Sequence, residues 1–154
     1  MQQLIDLYKQ WSGNEPASVD KMQGAGSNRQ YFRLTATDGS SVVGVIGTSR
    51  EEDHAFINIA KQFAEQKLPV PQVLAVSDDE MRYLQTDLGS TSLFDAIRGG
   101  REAGGRYNLA EQELLKKTIR ALPGIQIRGA RGMDWSVCYP QPEFNEESVL
   151  FDLN

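Results

Sequence analysis

A glycine-containing stretch near the N-terminus carries the residue types that most directly suggest chemistry. It runs from Gln23 to Leu34 and reads Gln-Gly-Ala-Gly-Ser-Asn-Arg-Gln-Tyr-Phe-Arg-Leu. Because glycine lacks a Cβ, the backbone there can adopt positive φ and approach a ligand closely. The N–H groups of such a loop can bind phosphate oxygens. The same glycines also fit a plain hairpin turn, and the stretch alone leaves both interpretations open.

The cysteine and the histidine outside this stretch do not indicate a further catalytic site. The chain has one cysteine, Cys138, and one histidine, His54, and they lie far apart in the sequence. A nucleophilic thiol needs a nearby base or cation, so we interpret Cys138 as a small buried residue. We expect no metal site and no catalytic residue within this chain.

Length and charge limit the class of protein. The 154 residues are enough for one compact domain, and the net charge of -5 argues against a nucleic-acid surface. No apolar run approaches the ~20 residues that cross a bilayer, and the N-terminus lacks the basic and apolar regions of a signal peptide. We expect a cytoplasmic protein that binds neither nucleic acid nor membrane.

The first 89 residues show alternating helix and strand signals. Residues at helical spacing from Leu4 to Trp11 predict a first helix. A Ser49-to-Glu52 capping box predicts a second helix, which should end near Lys67 before Leu68-Pro69-Val70-Pro71. Five strands are predicted, at residues 16–22, 31–35, 41–47, 73–76 and 81–85. The predicted fold is therefore α+β, a five-stranded antiparallel sheet with one packed helix, followed by helices and an irregular tail.

A short helix and a linker are predicted after the last strand. The helix should begin at Ser92 and end at Gly99-Gly100. The residues from there to Tyr107 are small or charged with nothing to bury, so we expect a mobile linker.

A longer helix and an aromatic tail complete the chain. Asn108 should cap the helix, Glu113 and Lys117 should pair at i,i+4, and Pro123-Gly124 should close it. The tail from residue 125 shows little periodicity, and its last six residues read as the first turn of a helix.

Three segments, in this order and spacing, resemble a known family. They run from Gly24 to Leu34, from Leu68 to Leu74 and from Leu84 to Gly89. With the sheet order they resemble the small lobe of protein-kinase-like phosphotransferases, specifically the aminoglycoside phosphotransferase and choline kinase-like family. The closer resemblance is to its bacterial sugar-kinase branch, which includes amino-sugar kinases. It covers roughly residues 17–97.

The resemblance implies an ATP site and a division of the chain. Residues 1–89 would form the nucleotide-binding lobe, and residues 90–154 would form connector helices and the start of a truncated helical lobe. The glycine loop would cover the phosphates, and residues 85–88 would be a hinge whose backbone binds the adenine edge. Valines 42, 43 and 45 of strand three would supply some of the apolar wall against the base, and the sequence does not fix which face each one occupies. The implied cofactor-binding residues are Gly24, Ala25, Gly26, Ser27, Asn28, Arg29, Val43, Gln85, Thr86, Asp87 and Leu88.

The chain departs from the family pattern at its phosphate-binding pair. Kinase-like lobes carry a strand-three lysine that contacts the phosphates and pairs with a helix glutamate. Strand three here has no lysine, and the helix offers no acid at the usual register, with Glu51 and Glu52 in its first turn and Glu65 at its end. Arg29 is the best-placed replacement for the positive charge, because it lies in the loop itself.

The catalytic loop of the family is also missing. Phosphoryl transfer needs a loop with a catalytic Asp, and an Asn and a second Asp that hold Mg²⁺. Asp134 and Asp152 lack the required surroundings. We therefore expect an N-terminal portion of a longer kinase that phosphorylates a sugar or amino sugar, inactive alone, with Mg²⁺ bound only together with the missing lobe.

Two other classes of protein stay open. The chain could be a non-catalytic module that binds a nucleotide or a protein without transferring phosphate, which the missing lysine favours. It could also be an interaction domain that uses its aromatic tail. Without a covering lobe, the tail should expose Trp135 or Phe144, which predicts self-association through an apolar patch.

Overall fold

The computed structural model describes residues 1–23 and 28–153, with only the backbone at residues 151 and 152. In chain order the elements are α1 (Gln2–Ser12), β1 (Ser18–Lys21), β2 (Gln30–Thr35), β3 (Ser41–Ile46), α2 (Arg50–Glu65), β4 (Val73–Val76), β5 (Arg82–Thr86), α3 (Leu93–Ala96), α4 (Arg98–Glu102), α5 (Leu109–Pro123) and α6 (Glu146–Leu153). A π-helical turn at Gly124–Arg128 and a 3₁₀ turn at Trp135–Val137 lie between the last two helices.

The five strands form one sheet in the order β1-β2-β3-β5-β4, and every neighbouring pair is antiparallel. The predicted α+β class and the predicted five-stranded antiparallel sheet are therefore confirmed. β4 has its predicted bounds, and the ends of the other strands differ from the predictions by at most two residues.

Each face of the sheet packs against one helix, since successive strand residues point to opposite sides. The α1 face, defined by the buried cluster around Leu34, Val42 and Leu84, packs against Leu4, Leu7 and Tyr8 of α1. The α2 face, defined by the buried cluster of Val43, Val45 and Tyr83, packs against Ile57 of α2. The nucleotide residues predicted from the sequence have to be sorted between these two faces.

Gly44 shows how closely α1 approaches the sheet. A Cβ at this position in β3 would lie 2.6 Å from Leu34 Cδ1 and 2.9 Å from Leu4 Cδ2. Glycine in mid-strand is therefore a packing requirement here, because it makes room for a leucine from the helix.

The cap of α2 differs from the predicted reciprocal box. Ser49 Oγ accepts a hydrogen bond from the Glu52 amide at 3.3 Å, as predicted, but its hydroxyl donates to Glu51 at 3.0 Å. The Glu52 carboxylate instead approaches Arg29, with 3.9 Å between Oε2 and Nη2. The helix also ends at Glu65, two residues earlier than predicted.

The prediction that Gly99-Gly100 ends a helix is wrong. Both glycines lie inside α4, which continues to Glu102 and so takes up the start of the predicted linker. Gly100 is required by close packing, since a Cβ there would lie 2.1 Å from Tyr107 Cδ1. Its backbone N–H donates to Glu111 Oε1 at 2.9 Å.

The predicted cap and the predicted end of α5 are both confirmed. Asn108 and Glu111 form a full capping box, in which Asn108 Oδ1 accepts from the Glu111 amide and Glu111 Oε2 accepts from the Asn108 amide. Glu113 pairs with Lys116, three residues on, rather than with Lys117. The α-helix ends at Pro123 with Gly124 as its C-cap, and a π-helical turn follows directly.

The tail is more helical than predicted. Its final helix begins at Glu146, three residues before the predicted start, and Trp135 opens the 3₁₀ turn. Trp135 and Phe144 are both exposed, as predicted. In the described part of the chain, no helix combines the length and apolar character needed to cross a bilayer.

Candidate functional site

The sheet register brings two of the predicted nucleotide residues together. Val43 of β3 pairs with Gln85 of β5, and Arg33 of β2 pairs with Val43 from the other side. Directly paired residues in an antiparallel ladder point to the same face, so all three belong to the α2 face. Val42 is buried on the α1 face. Val42 therefore lies on the face opposite Val43 and Val45, a choice that the sequence left open.

The predicted hinge is fastened by the side chain of Asp87. Arg33 donates to both Asp87 carboxylate oxygens from Nε and Nη2, and Ser41 Oγ donates to Asp87 Oδ2 at 2.8 Å. Asp87 Oδ1 also accepts from the Gly89 amide at 2.8 Å. The Arg33 bonds, aided by Ser41, lower the pKa of Asp87 to about 2. The Asp87 carboxylate therefore has a structural role. A base bound at the predicted hinge would contact backbone groups of the hinge.

Thr86 fixes the other end of the hinge. Its backbone N–H donates to the Gln72 carbonyl and its Oγ1 accepts from the Gln72 amide, both at 3.0 Å. Leu88, in contrast, is largely exposed. The hinge is therefore anchored at Thr86 and Asp87, and it presents the Leu88 side chain outward.

A cleft of about 460 Å³ opens between the end of β1 and the segment after the hinge. It is lined by Met22 and Gln23 on one side, by Arg33, and by residues 88–92 on the other side. It therefore lies between the hinge and the start of the glycine stretch. This is the space in which a ligand could contact both.

A buried ion pair lies where the glycine stretch rejoins the sheet. Arg29 Nε donates to Asp53 Oδ1 at 2.8 Å, and the Asp53 side chain is 0% exposed. The guanidinium also lies over the Phe56 ring, 5.5 Å from its centroid. Burial raises the pKa of Asp53 above its ordinary value, and the Arg29 guanidinium offsets part of that rise.

Asp53 is an acid in the first turn of α2 that the sequence analysis did not consider, and it pairs with Arg29. It is the fourth residue of the helix and points inward, while Glu51 and Glu52 point to solvent. Gly47, the residue after β3, admits it, because a Cβ there would lie 1.4 Å from Asp53 Oδ2. A glycine that ends a strand shortly before an acidic helix start was the available sequence signal.

Three buried polar atoms in the described part of the chain have no hydrogen-bond partner and lie on or against the α2 face. They are Asp53 Oδ2, Tyr83 Oη and Gln85 Oε1. Burial raises the pKa of Tyr83, so its hydroxyl stays protonated. Unpartnered buried polar atoms are uncommon in folded proteins. The otherwise apolar α2 face therefore carries three buried polar atoms that have no partner among the described residues.

Four of the predicted phosphate-loop residues, Gly24, Ala25, Gly26 and Ser27, lie outside the described residues. Asn28 is exposed and Arg29 is half-buried. The phosphate-binding role of the loop therefore stays a prediction, while its C-terminal anchor is Arg29.

A second cleft brings together the two residues that the sequence separates, His54 and Cys138. Both line a space of about 360 Å³ with Glu80 and Tyr139. His54 Nδ1 is bonded to Glu80 at 3.0 Å, and Cys138 is half-buried rather than buried as predicted. Among the described residues, no three His, Cys, Asp or Glu side chains cluster closely enough to hold a metal ion.

Comparison with known proteins gives one informative match. No family model matches the chain. Over 127 residues, or 82% of the chain, it is 31% identical to an N-acetylmuramate/N-acetylglucosamine kinase of Neisseria meningitidis serogroup B (strain ATCC BAA-335 / MC58). The match covers 34% of that kinase, so the chain spans about a third of the length of its curated relative. The chain is thus similar to part of a sugar kinase.

Proposed function

We propose that this chain is the ATP-binding N-terminal portion of a longer sugar kinase of the aminoglycoside phosphotransferase-like family. The observation that carries the proposal is the 31% identity to a sugar kinase over 127 residues. The sheet order supports it, because a helix between β3 and β4 and a connector after β5 match the kinase-like small lobe that the sequence resembles. Residues 1–89 form the lobe in this proposal, and residues 90–154 lead into the next.

The α2 face is the proposed nucleotide face. Val43 and Gln85 share it, and the cleft beside Arg33 connects the hinge with the glycine stretch. An adenine base against Val43 would find backbone groups of residues 85–88 held in place by the Asp87 bonds. The phosphates would then extend toward residues 24–29. A hinge fixed before the ligand binds costs less ordering entropy when the complex forms.

The reacting groups lie outside this chain in the proposal. A catalytic Asp and the Asn and Asp that hold Mg²⁺ would come from the remaining part of the parent protein. The acceptor is a sugar or amino sugar, and the chain by itself is inactive. The parent is proposed to be cytoplasmic, where ATP and the free sugar would both be available.

The test uses the natural gene product that carries these residues. It is purified, its intact mass is measured, and it is incubated with ATP, Mg²⁺ and a panel of sugars that includes N-acetylmuramate and N-acetylglucosamine. We expect a mass well above 17.2 kDa and a sugar phosphate detected by mass spectrometry. ATP hydrolysis without phosphorylation of any sugar would refute the proposed activity. Heat-inactivated protein serves as the blank.

A second candidate is a non-catalytic module that binds a nucleotide or a protein partner. It is favoured by the composition of β3, whose α2-face positions are Val43 and Val45 where kinase-like lobes use a lysine. In that case the gene product binds ATP, measured by calorimetry, and forms no ADP with any sugar. Self-association through Trp135 and Phe144 would appear as a concentration-dependent mass in sedimentation experiments.

A further inference from the structure

The buried pair of Arg29 and Asp53 lies at one end of the proposed nucleotide face. Arg29 directly precedes β2, so the sheet fixes the position of its backbone. Its side chain is 16% exposed, whereas Asp53 is 0% exposed. The cation thus keeps a small solvent-exposed fraction, and the acid keeps none.

The pair is costly to bury and is therefore informative. A carboxylate removed from water is unfavourable unless a cation and further hydrogen bonds compensate, and an apolar pair would often serve stability as well. Asp53 Oδ2 receives no hydrogen bond from the described residues, so Arg29 compensates Asp53 incompletely. Stability alone gives a weak reason for placing an aspartate here.

The end of β3 and the helix α2 both accommodate the pair. Gly47, after the end of β3, leaves room for the Asp53 carboxylate, and the ring of Phe56 in α2 packs against the Arg29 guanidinium. The Asp53 amide donates to the Ser49 carbonyl in the first turn of α2, which sets the helix start. The guanidinium is therefore held in one orientation, and a planar guanidinium suits phosphate oxygens because its donors lie in one plane.

We propose that Arg29 binds the nucleotide phosphates and that Asp53 is the positioning residue that orients it. The inference rests on the proposed function. It explains why β3 can carry Val43 and Val45 in place of a cation, because the positive charge enters the same face from the start of β2. Asp53 then takes the place of the helix glutamate of kinase-like lobes.

The experiment compares dissociation constants for ATP, ADP and adenosine in the full-length gene product. Arg29→Met removes the charge at similar length, and we expect ATP to bind about 10- to 100-fold more weakly while adenosine binding is unchanged, since a charged hydrogen bond is lost. Asp53→Asn should weaken ATP binding in the same selective way, by a smaller factor. A purely structural pair would change adenosine binding as well.

Two matched controls separate position from charge. Arg82→Met removes another arginine that is bonded to an aspartate, Asp79, at 2.7 Å on the far side of the sheet. Glu52→Gln makes the same chemical change as Asp53→Asn beside the same guanidinium, but on an exposed side chain. We expect both controls to retain the preference of the wild-type protein for ATP over adenosine.

A measurement on the wild-type protein covers the case in which a variant fails to fold. The Arg29 Nε–H signal in a ¹⁵N NMR spectrum should shift when tripolyphosphate is added and should stay in place with adenosine. An unchanged signal, or an unchanged ratio of ATP to adenosine affinity in Arg29→Met, overturns the inference alone. Absence of nucleotide binding by the wild-type protein overturns both the inference and the proposed function.

Discussion

The bonds around Asp87 offer a quantitative test of how the hinge is held. Asp87→Asn keeps the shape of the side chain and removes its charge. The Asp87 side chain is 6% exposed, and Arg33 and Ser41 both donate to it. In the wild-type protein these bonds tie the end of β5 to β2 and β3, so their loss should destabilise the fold and loosen the hinge.

The magnitude follows from the pKa of Asp87. A fall from 3.8 to about 2 is worth roughly 2 kcal/mol of folding free energy at about 1.4 kcal/mol per unit. Solvent reaches 27% of the Arg33 side chain and screens part of this attraction. We therefore expect Asp87→Asn to lower the free energy of unfolding by about 1 to 2 kcal/mol at pH 7.

The pH dependence has a definite sign. The folded-state pKa of Asp87 is lower than its ordinary value of 3.8, so the stabilisation is complete well above pH 3.8 and fades as the pH falls toward 2. Urea unfolding curves of the wild-type and Asp87→Asn proteins should therefore converge in acid. Intrinsic tryptophan fluorescence reports the transition.

Asp79 supplies the matched control. Its pKa is also lowered to about 2, chiefly by the Ser77 hydroxyl, but its side chain is 53% exposed. Asp79→Asn should cost less than about 1 kcal/mol, because an exposed ion pair contributes little. Equal costs for the two variants, or a cost for Asp87→Asn that does not change with pH, would refute the reasoning that burial makes the hinge bonds effective.

Three further substitutions test the packing described above. Leu4→Ala, in the buried core beneath α1, should lower the free energy of unfolding by about 2–5 kcal/mol, whereas Leu109→Ala on the exposed side of α5 should change it by less than about 0.5 kcal/mol in the same urea titration. Glu111→Ala should cost about 1–3 kcal/mol, because two backbone N–H groups lose their acceptor, and hydrogen exchange of those amides should accelerate. Tyr83→Phe should leave the melting temperature unchanged or raise it, since the hydroxyl has no partner among the described residues, and a clear drop would reveal one.

The sheet was predictable because its signals are local. Runs of strand-forming residues and the prolines after α2 each act over a few residues, and together they predicted all five strands. The helix ends were less predictable. Gly100 reads as a helix terminator, yet it is a contact for Tyr107, and that contact depends on a chain reversal that spacing alone does not reveal.

The candidate site was also predicted only in part from the sequence. Val43 and Gln85 were predicted as nucleotide residues, and the ladder places them on one face. Val42 lies on the opposite face, which the sequence left open because alternation alone does not say which face each residue takes. Asp53 was missed because its role depends on Gly47 and Arg29, which are distant from it in sequence.

The sequence by itself determined the α+β class, the order of the elements and the position of the glycine stretch, because each depends on residue type and on neighbours within one turn or one strand. The tertiary structure decided which charges meet. Arg29 and Asp53 are 24 residues apart, and Arg33 and Asp87 are 54 apart. Such pairs form only once the sheet register and the position of α2 against the sheet are fixed. An arginine is positive and an aspartate is negative in any sequence, but the fold decides which of them pair.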